Sequence, residues 1–190
     1  MTSQNRLRER AALTVSNIQR MGKWNDTDVP LAYLITFRTY GTWLHGDTRG
    51  SIDRNNNVFG SPKAESRIIR EQQQVKKLKS EPVLLNAVMR GAVEEAIREV
   101  CAYRDWKLYA QNVRINHAHV VTAAKASADK VLNDLKAYST RKMRQLGCWP
   151  HAHSPWVDKG SKRNLWNEDH IFNACDYVVN GQGGDLPKFD

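Results

Sequence analysis

The stretch "DWKLYAQNVRINHAHVVTAA", residues 105–124, decides the fold. Its two halves, "DWKLYAQNV" and "HAHVVTAA", are short and rich in β-branched, aromatic and apolar residues, and a tight polar turn at Arg114–Asn116 divides them, so the spacing predicts a hairpin. Side chains alternate between the two faces of a strand. His117 and His119 therefore share one face of the second strand, and Ala118 and Val120 share the other. Two imidazoles side by side on a rigid strand can offer ring nitrogens to one divalent ion, while the apolar face is buried under a helix. The alternative is a pair of polar residues on a solvated sheet face. A second H-x-H triple, "PHAHSP" at residues 150–155, has prolines at both ends that exclude it from a strand interior. It reads as a surface loop that touches a phosphate or sits in water.

Outward from the hairpin, Pro30 marks the entry to another strand, "LAYLITFRTY" (31–40). "GTWLHGDTRGSIDRNNNVFGSP" (41–62) has the composition of a long surface loop, and "RIIREQQQVKKLKSEP" (67–82) reads as a short helix and linker. Leu85, Met89, Ala92, Ala96, Ile97 and Val100 recur at three and four, which predicts a helix to about Arg104. A second helix runs from Ala128 to about Leu146 on the stripe Val131, Leu132, Leu135, Met143 and Leu146, with Gly147 as its stop. Strand, loop, helix, hairpin and helix give an α+β protein, an antiparallel sheet with helices packed on one face.

Length and composition point the same way. A chain of 190 residues with 41% apolar content supports one core. The organisation expected is a basic leader over residues 1–29, one folded domain over 30–182 and a tail over 183–190. The leader has Leu7, Ala11, Val15 and Ile18 at helical spacing, a pattern that a transit peptide would share. The sequence holds 29 Lys and Arg against 20 Asp and Glu, a net charge of +9, which attracts a polyanion such as nucleic acid or an acidic membrane surface. No run is long and apolar enough for a membrane span and no secretory apolar core is present, which predicts a cytoplasmic protein. Cys101, Cys148 and Cys175 lack metal or disulfide spacing and read as reduced.

A metal on two neutral imidazoles keeps open coordination positions and suits polarising a phosphate oxygen. On the second helix Tyr138 lies at the margin of the apolar stripe, with Asp134, Lys142 and Gln145 on the same flank. Its plain reading is packing with the hydroxyl in water. Arg141, Arg144, Lys159, Lys162 and Arg163, with Trp156 and Trp166 near them, make the C-terminal third basic and aromatic, suited to a DNA backbone and unstacked bases. For each residue singly the plain reading is a solvated charge or a core tryptophan.

The combination of "NHAHVV", "LNDLKAYSTRKMRQLG" and "GSKRNLW", with "FRTYGTWLHGD" at the first strand, resembles the single-tyrosine HUH transposases, in particular the REP-associated tyrosine transposases. The resemblance covers roughly residues 30–182 and implies a ferredoxin-like (RRM-like) fold. It implies His117 and His119 as ligands of Mg or Mn and Tyr138 as a nucleophile that cleaves single-stranded DNA near a hairpin through a 5′-phosphotyrosine link. Monomer and homodimer both remain open. In the family the third ligand is often a Gln one turn after the tyrosine; here that position is Lys142, whose charged amine has no lone pair. Asp134, Gln145, His45 and Asp47 are the substitutes, and Lys142 is left to lower the tyrosine pKa or hold the phosphate. The residue before the "GS" is Lys159, where the family has a His. These departures keep a second function in view, a catalytically inactive nucleic-acid-binding protein of the same fold.

Overall fold

Four strands form the sheet, with regular alternation of burial only in the first: β1 (Ala32–Thr39), β2 (Lys107–Val113), β3 (His117–Ala123) and β4 (Trp156–Leu165). The computed structural model describes residues 29–42, 78, 80–184 and 186–187. Three helices complete it: α1 (Ala87–Tyr103), α2 (Ala128–Gln145) and α3 (Glu168–Asn180). All strand pairs are antiparallel in the order β2-β3-β1-β4. With the chain order β1-α1-β2-β3-α2-β4, this is the ferredoxin-like split βαβ arrangement, extended by a C-terminal helix. The hairpin forms where the sequence places it, closed by the Arg114 N–H donating to the His117 carbonyl at 2.8 Å.

Each helix begins on a side-chain cap that satisfies an otherwise unpaired N–H. Asn86 accepts from the Met89 N–H at 2.9 Å, Ser127 from Lys130 at 3.3 Å and Asn167 from His170 at 2.8 Å. Gly147 ends the turn after α2 with φ +71°, a conformation that only glycine takes without strain.

The sheet has an apolar layer on each side. On one, Tyr33, Ile35 and Phe37 of β1 and Ala118 and Val120 of β3 pack against Val93, Ile97 and Val100 of α1 and Val131, Leu132 and Leu135 of α2. On the other, Ala32, Ala110, Val121 and Leu165 pack against Ile171, Ala174, Cys175 and Val178 of α3. The expectation of helices on one face holds for α1 and α2 and is corrected by α3. That helix carries its own apolar stripe and buries it on the opposite face. His45, Asp47, residues 1–28 of the leader and the expected loop and helix over residues 43–77 lie outside the described residues. Among those described, no helix is long and apolar enough to cross a membrane.

Candidate active site

His117 and His119 do share a face of β3, and it is the face under α3. Register carries this: His119 pairs with Thr36 and Asn112, and Val120 and Ala118, on the other face, pair with Ile35 and Phe37. The imidazoles meet edge to face with centroids 4.7 Å apart. Each has one nitrogen engaged by a neighbour: His117 Nδ1 meets Asn116 Oδ1 at 2.7 Å, and His119 Nδ1 meets the Thr36 hydroxyl at 2.7 Å. Such contacts fix the ring orientation and leave Nε2 for a ligand. His117 Nε2 lies 3.4 Å from Gln182 Oε1. His119 is buried, and burial followed by the neighbouring His117 pushes its pKa down to about 4, with a hydrogen bond to Gln182 opposing the shift. It is therefore a neutral imidazole at pH 7, the form that binds metals.

A tyrosine does stand over the pair, and it is Tyr177 on α3. Its ring packs edge to face on His119 with centroids 5.4 Å apart, and it is 47% exposed. One turn of helix and a short step later, Gln182 donates from Nε2 to the Tyr177 carbonyl at 3.1 Å, which holds its amide oxygen toward His117. Two imidazoles, an amide oxygen and a phenol thus converge on one surface. Among the described residues no group of three or more His, Cys, Asp or Glu forms a metal cluster. The amide oxygen of Gln182 is a further donor beside the two imidazoles, of a type that suits a hard cation.

Tyr138 is on the wrong side of the sheet for this site. α2 packs on the face that carries Ala118 and Val120, so the sheet separates Tyr138 from both histidines. Its ring lies 6.3 Å from that of Tyr103 and under the Arg141 guanidinium at 4.2 Å. The residues around it follow. Lys142 is paired with Glu95 and Glu99 of α1 at 2.8 and 2.7 Å, which raises its pKa. Asp134 is paired with Arg104 and Lys130. Gln145 lines a groove beside Arg141 and Arg144. None of these four flanks the histidines. The physical reason is the position of Tyr138 on the stripe's margin: that margin faces α1 and not the far side of the sheet.

The basic residues divide between the faces. Lys162 pairs with Ile35 in register and bonds Asp129 of α2, whereas Arg163 pairs with Leu34 and falls on the histidine face. Arg38 is the register partner of His117 on that same face. Lys159 is exposed on β4, and Arg144 donates to the carbonyls of His151, Ala152 and His153. Trp166 is 39% exposed just after β4. Trp156 is a core residue, edge to face on Phe37 at 4.9 Å with its indole N–H donating to Thr140 and to the Lys136 carbonyl, so it is withdrawn from any base-stacking role.

Tyr177, Gln182, Thr36 and Asn116 have no assigned role in the reading of the sequence. The signal for the first two is present: Asn167, the spacing of Ile171, Ala174, Cys175 and Val178, and Gly181 delimit a helix, and "DYVVNGQG" places a Gln about one turn beyond a tyrosine.

The family model described as "Transposase IS200 like" matches residues 71–178. Among solved structures, a candidate transposase from Deinococcus radiodurans R1 is 15% identical, with 87% of this chain and all of that one covered at a TM-score of 0.43. A REP-associated tyrosine transposase bound to a REP hairpin is 12% identical, with 83% of this chain and 70% of that one covered, also at 0.43. No curated protein matches the sequence.

Proposed function

The chain belongs to the IS200-like transposase family, and on that premise we propose that it is a single-strand DNA endonuclease and strand transferase whose nucleophile is Tyr177. The observation that carries this reading is the packing of Tyr177 on His119, with Gln182 beside His117, all on one face of the sheet. The phenol oxygen attacks phosphorus of a phosphodiester; an O–P bond to Tyr177 forms as the bond from phosphorus to the 3′ oxygen breaks. The phenol proton passes to solvent, and the departing oxygen takes one up as a free 3′-hydroxyl. A 3′-hydroxyl attacking the 5′-phosphotyrosine reverses the same exchange, so strands rejoin without an external energy source.

His117, His119 and Gln182 would hold a divalent ion such as Mg or Mn, which when bound supplies Lewis-acid polarisation of a phosphate oxygen. Asn116 and Thr36 orient the two rings. Arg38 and Arg163 place positive charge on the same face, where it favours a DNA backbone. A single strand next to a hairpin is the substrate that the resemblance of the sequence implies.

The test is covalent trapping. The protein is incubated with a library of hairpin-flanked single strands and Mn, denatured, and the attached DNA sequenced. Adduct forms with the parent and with Tyr138→Phe; it falls to background with Tyr177→Phe, and by roughly 10-fold or more with His117→Ala or His119→Ala. Adduct persisting in Tyr177→Phe, or mapped to the Tyr138 peptide, refutes the assignment. Tight binding of the same strands with no adduct from any variant favours the catalytically inactive DNA-binding protein.

A further inference from the structure

The outer side of α2, with Ala152 and Ser154 of the loop that follows it, lines an open groove of about 650 Å³ on the face opposite the histidines. Its lining includes Lys136, Arg141 and Arg144, with Asn133 and Gln145 on the rim and no carboxylate. Nearby cations are paired with acids: Lys130 and Arg104 share Asp134, Lys142 meets Glu95 and Glu99, and Lys162 meets Asp129. Among the described residues, the two arginines of the groove rest on neutral partners. Arg144 donates to three loop carbonyls, at 3.2 Å to His151, 2.5 Å to Ala152 and 3.2 Å to His153. Arg141 lies over the Tyr138 ring at 4.2 Å. Lys136, at the back, donates to the carbonyls of Val157 and Asp158 at 2.8 and 2.9 Å and also feels the Asp158 carboxylate. A carbonyl or an aromatic ring has no net charge, so the two guanidiniums keep theirs while their positions are fixed. Fixed, uncompensated donors bind an anion at little ordering cost.

The loop adds aromatic surface. The exposed rings of His151 and His153 stack 5.1 Å apart at 27° and both pack edge to face on Trp149; they line a separate hollow with residues 80–84, on the other side of the loop from the groove. Fixed cations on one side of the loop and exposed flat rings on the other are what an unpaired nucleic-acid strand crossing it needs: phosphates on the charges, bases on the rings. β4 is the edge strand of the sheet and lies between this groove and the histidine face, and it presents Lys159 and Arg163.

We propose that this groove is a second DNA-binding surface, which takes a single-stranded segment flanking the processed strand after it passes around the β4 edge. The proposal rests on the chain being a DNA-handling protein but not on Tyr177 chemistry, so its test uses the Tyr177→Phe background. Binding of fluorescein-labelled single-stranded DNA is followed by anisotropy across a salt series. Asn133→Glu/Gln145→Glu puts two negative charges on the exposed rim without removing an arginine contact; it is expected to raise Kd about 10-fold and to lower the salt slope by about one phosphate contact. Arg98→Glu, an equal charge change on exposed α1, is expected to raise Kd less than about 3-fold, because charges beyond a Debye length are screened. Unchanged affinity in the rim variant overturns the proposal, as does an equal loss in Arg98→Glu or a parent that binds no DNA at low salt. Should the rim variant melt early, photocross-linking of bromodeoxyuridine DNA to the parent decides: attachment within residues 141–155 supports the groove, and attachment elsewhere alone overturns it.

Discussion

Asn116 and Thr36 decide which nitrogen each imidazole presents. The Asn116 side-chain oxygen 2.7 Å from His117 Nδ1 makes that nitrogen the protonated one, which leaves the Nε2 lone pair toward Gln182. Partners of this kind change metal affinity by about 10–100-fold without touching the ion. Asn116→Ala is accordingly expected to weaken Mn binding by roughly 10-fold, followed by titration of the Mn paramagnetic signal, with the melting temperature little changed because the side chain is part of a turn. An unchanged Mn affinity would show that ring orientation comes from packing alone. This residue was overlooked in the sequence because an Asn before a histidine strand is ordinary turn chemistry. The histidine pair itself was legible, since alternation on a strand needs no tertiary knowledge. Which tyrosine stands by the pair was not: Tyr138 and Tyr177 both sit on amphipathic helices, and only packing tells which helix covers which face.

At the scale of elements, periodicity located β1, the β2-β3 hairpin, α1 and α2, because each carries a long apolar pattern that local geometry converts directly into a buried face. β4 escaped it because "WVDKGSKRNL" has buried residues only at its start and end; its pairing with β1 is a long-range fact. Gly160 shows what that pairing demands. A Cβ there would lie 2.6 Å from the Thr36 carbonyl oxygen and 2.9 Å from Leu132 Cδ1, so a side chain must push β4 off β1 or α2 off the sheet. Gly160→Ala is expected to cost about 1–3 kcal/mol in a denaturant titration, the usual range for overpacking. Because Thr36 also holds His119, the same variant should bind Mn more weakly. Loss of stability with intact Mn affinity would place the adjustment wholly on the α2 side.

The molecule as a whole is a sheet with different work on its two sides, and the two apolar layers give that division a measurable consequence. The larger layer, with Leu135 and Val120 completely buried, holds α1 and α2 and carries global stability. The smaller one, around Ile171 and Val178, docks α3 and so positions Tyr177 over His119. Leu135→Ala removes buried volume from the first layer and is expected to cost about 2–5 kcal/mol of unfolding free energy. The molecules that remain folded should form the phosphotyrosine adduct at the parental rate, since nothing on the histidine face has moved. Val178→Ala removes less volume, and from the smaller layer, whose local opening is easier than global unfolding. Its midpoint should fall by less, while adduct formation per folded molecule should drop several-fold as α3 samples undocked positions. Measuring unfolding midpoints and single-turnover adduct rates on both variants separates the two layers. A common rate-to-stability ratio for both variants would mean that the sheet transmits every core defect to the histidine face, and that α3 is no more independent than the rest of the fold.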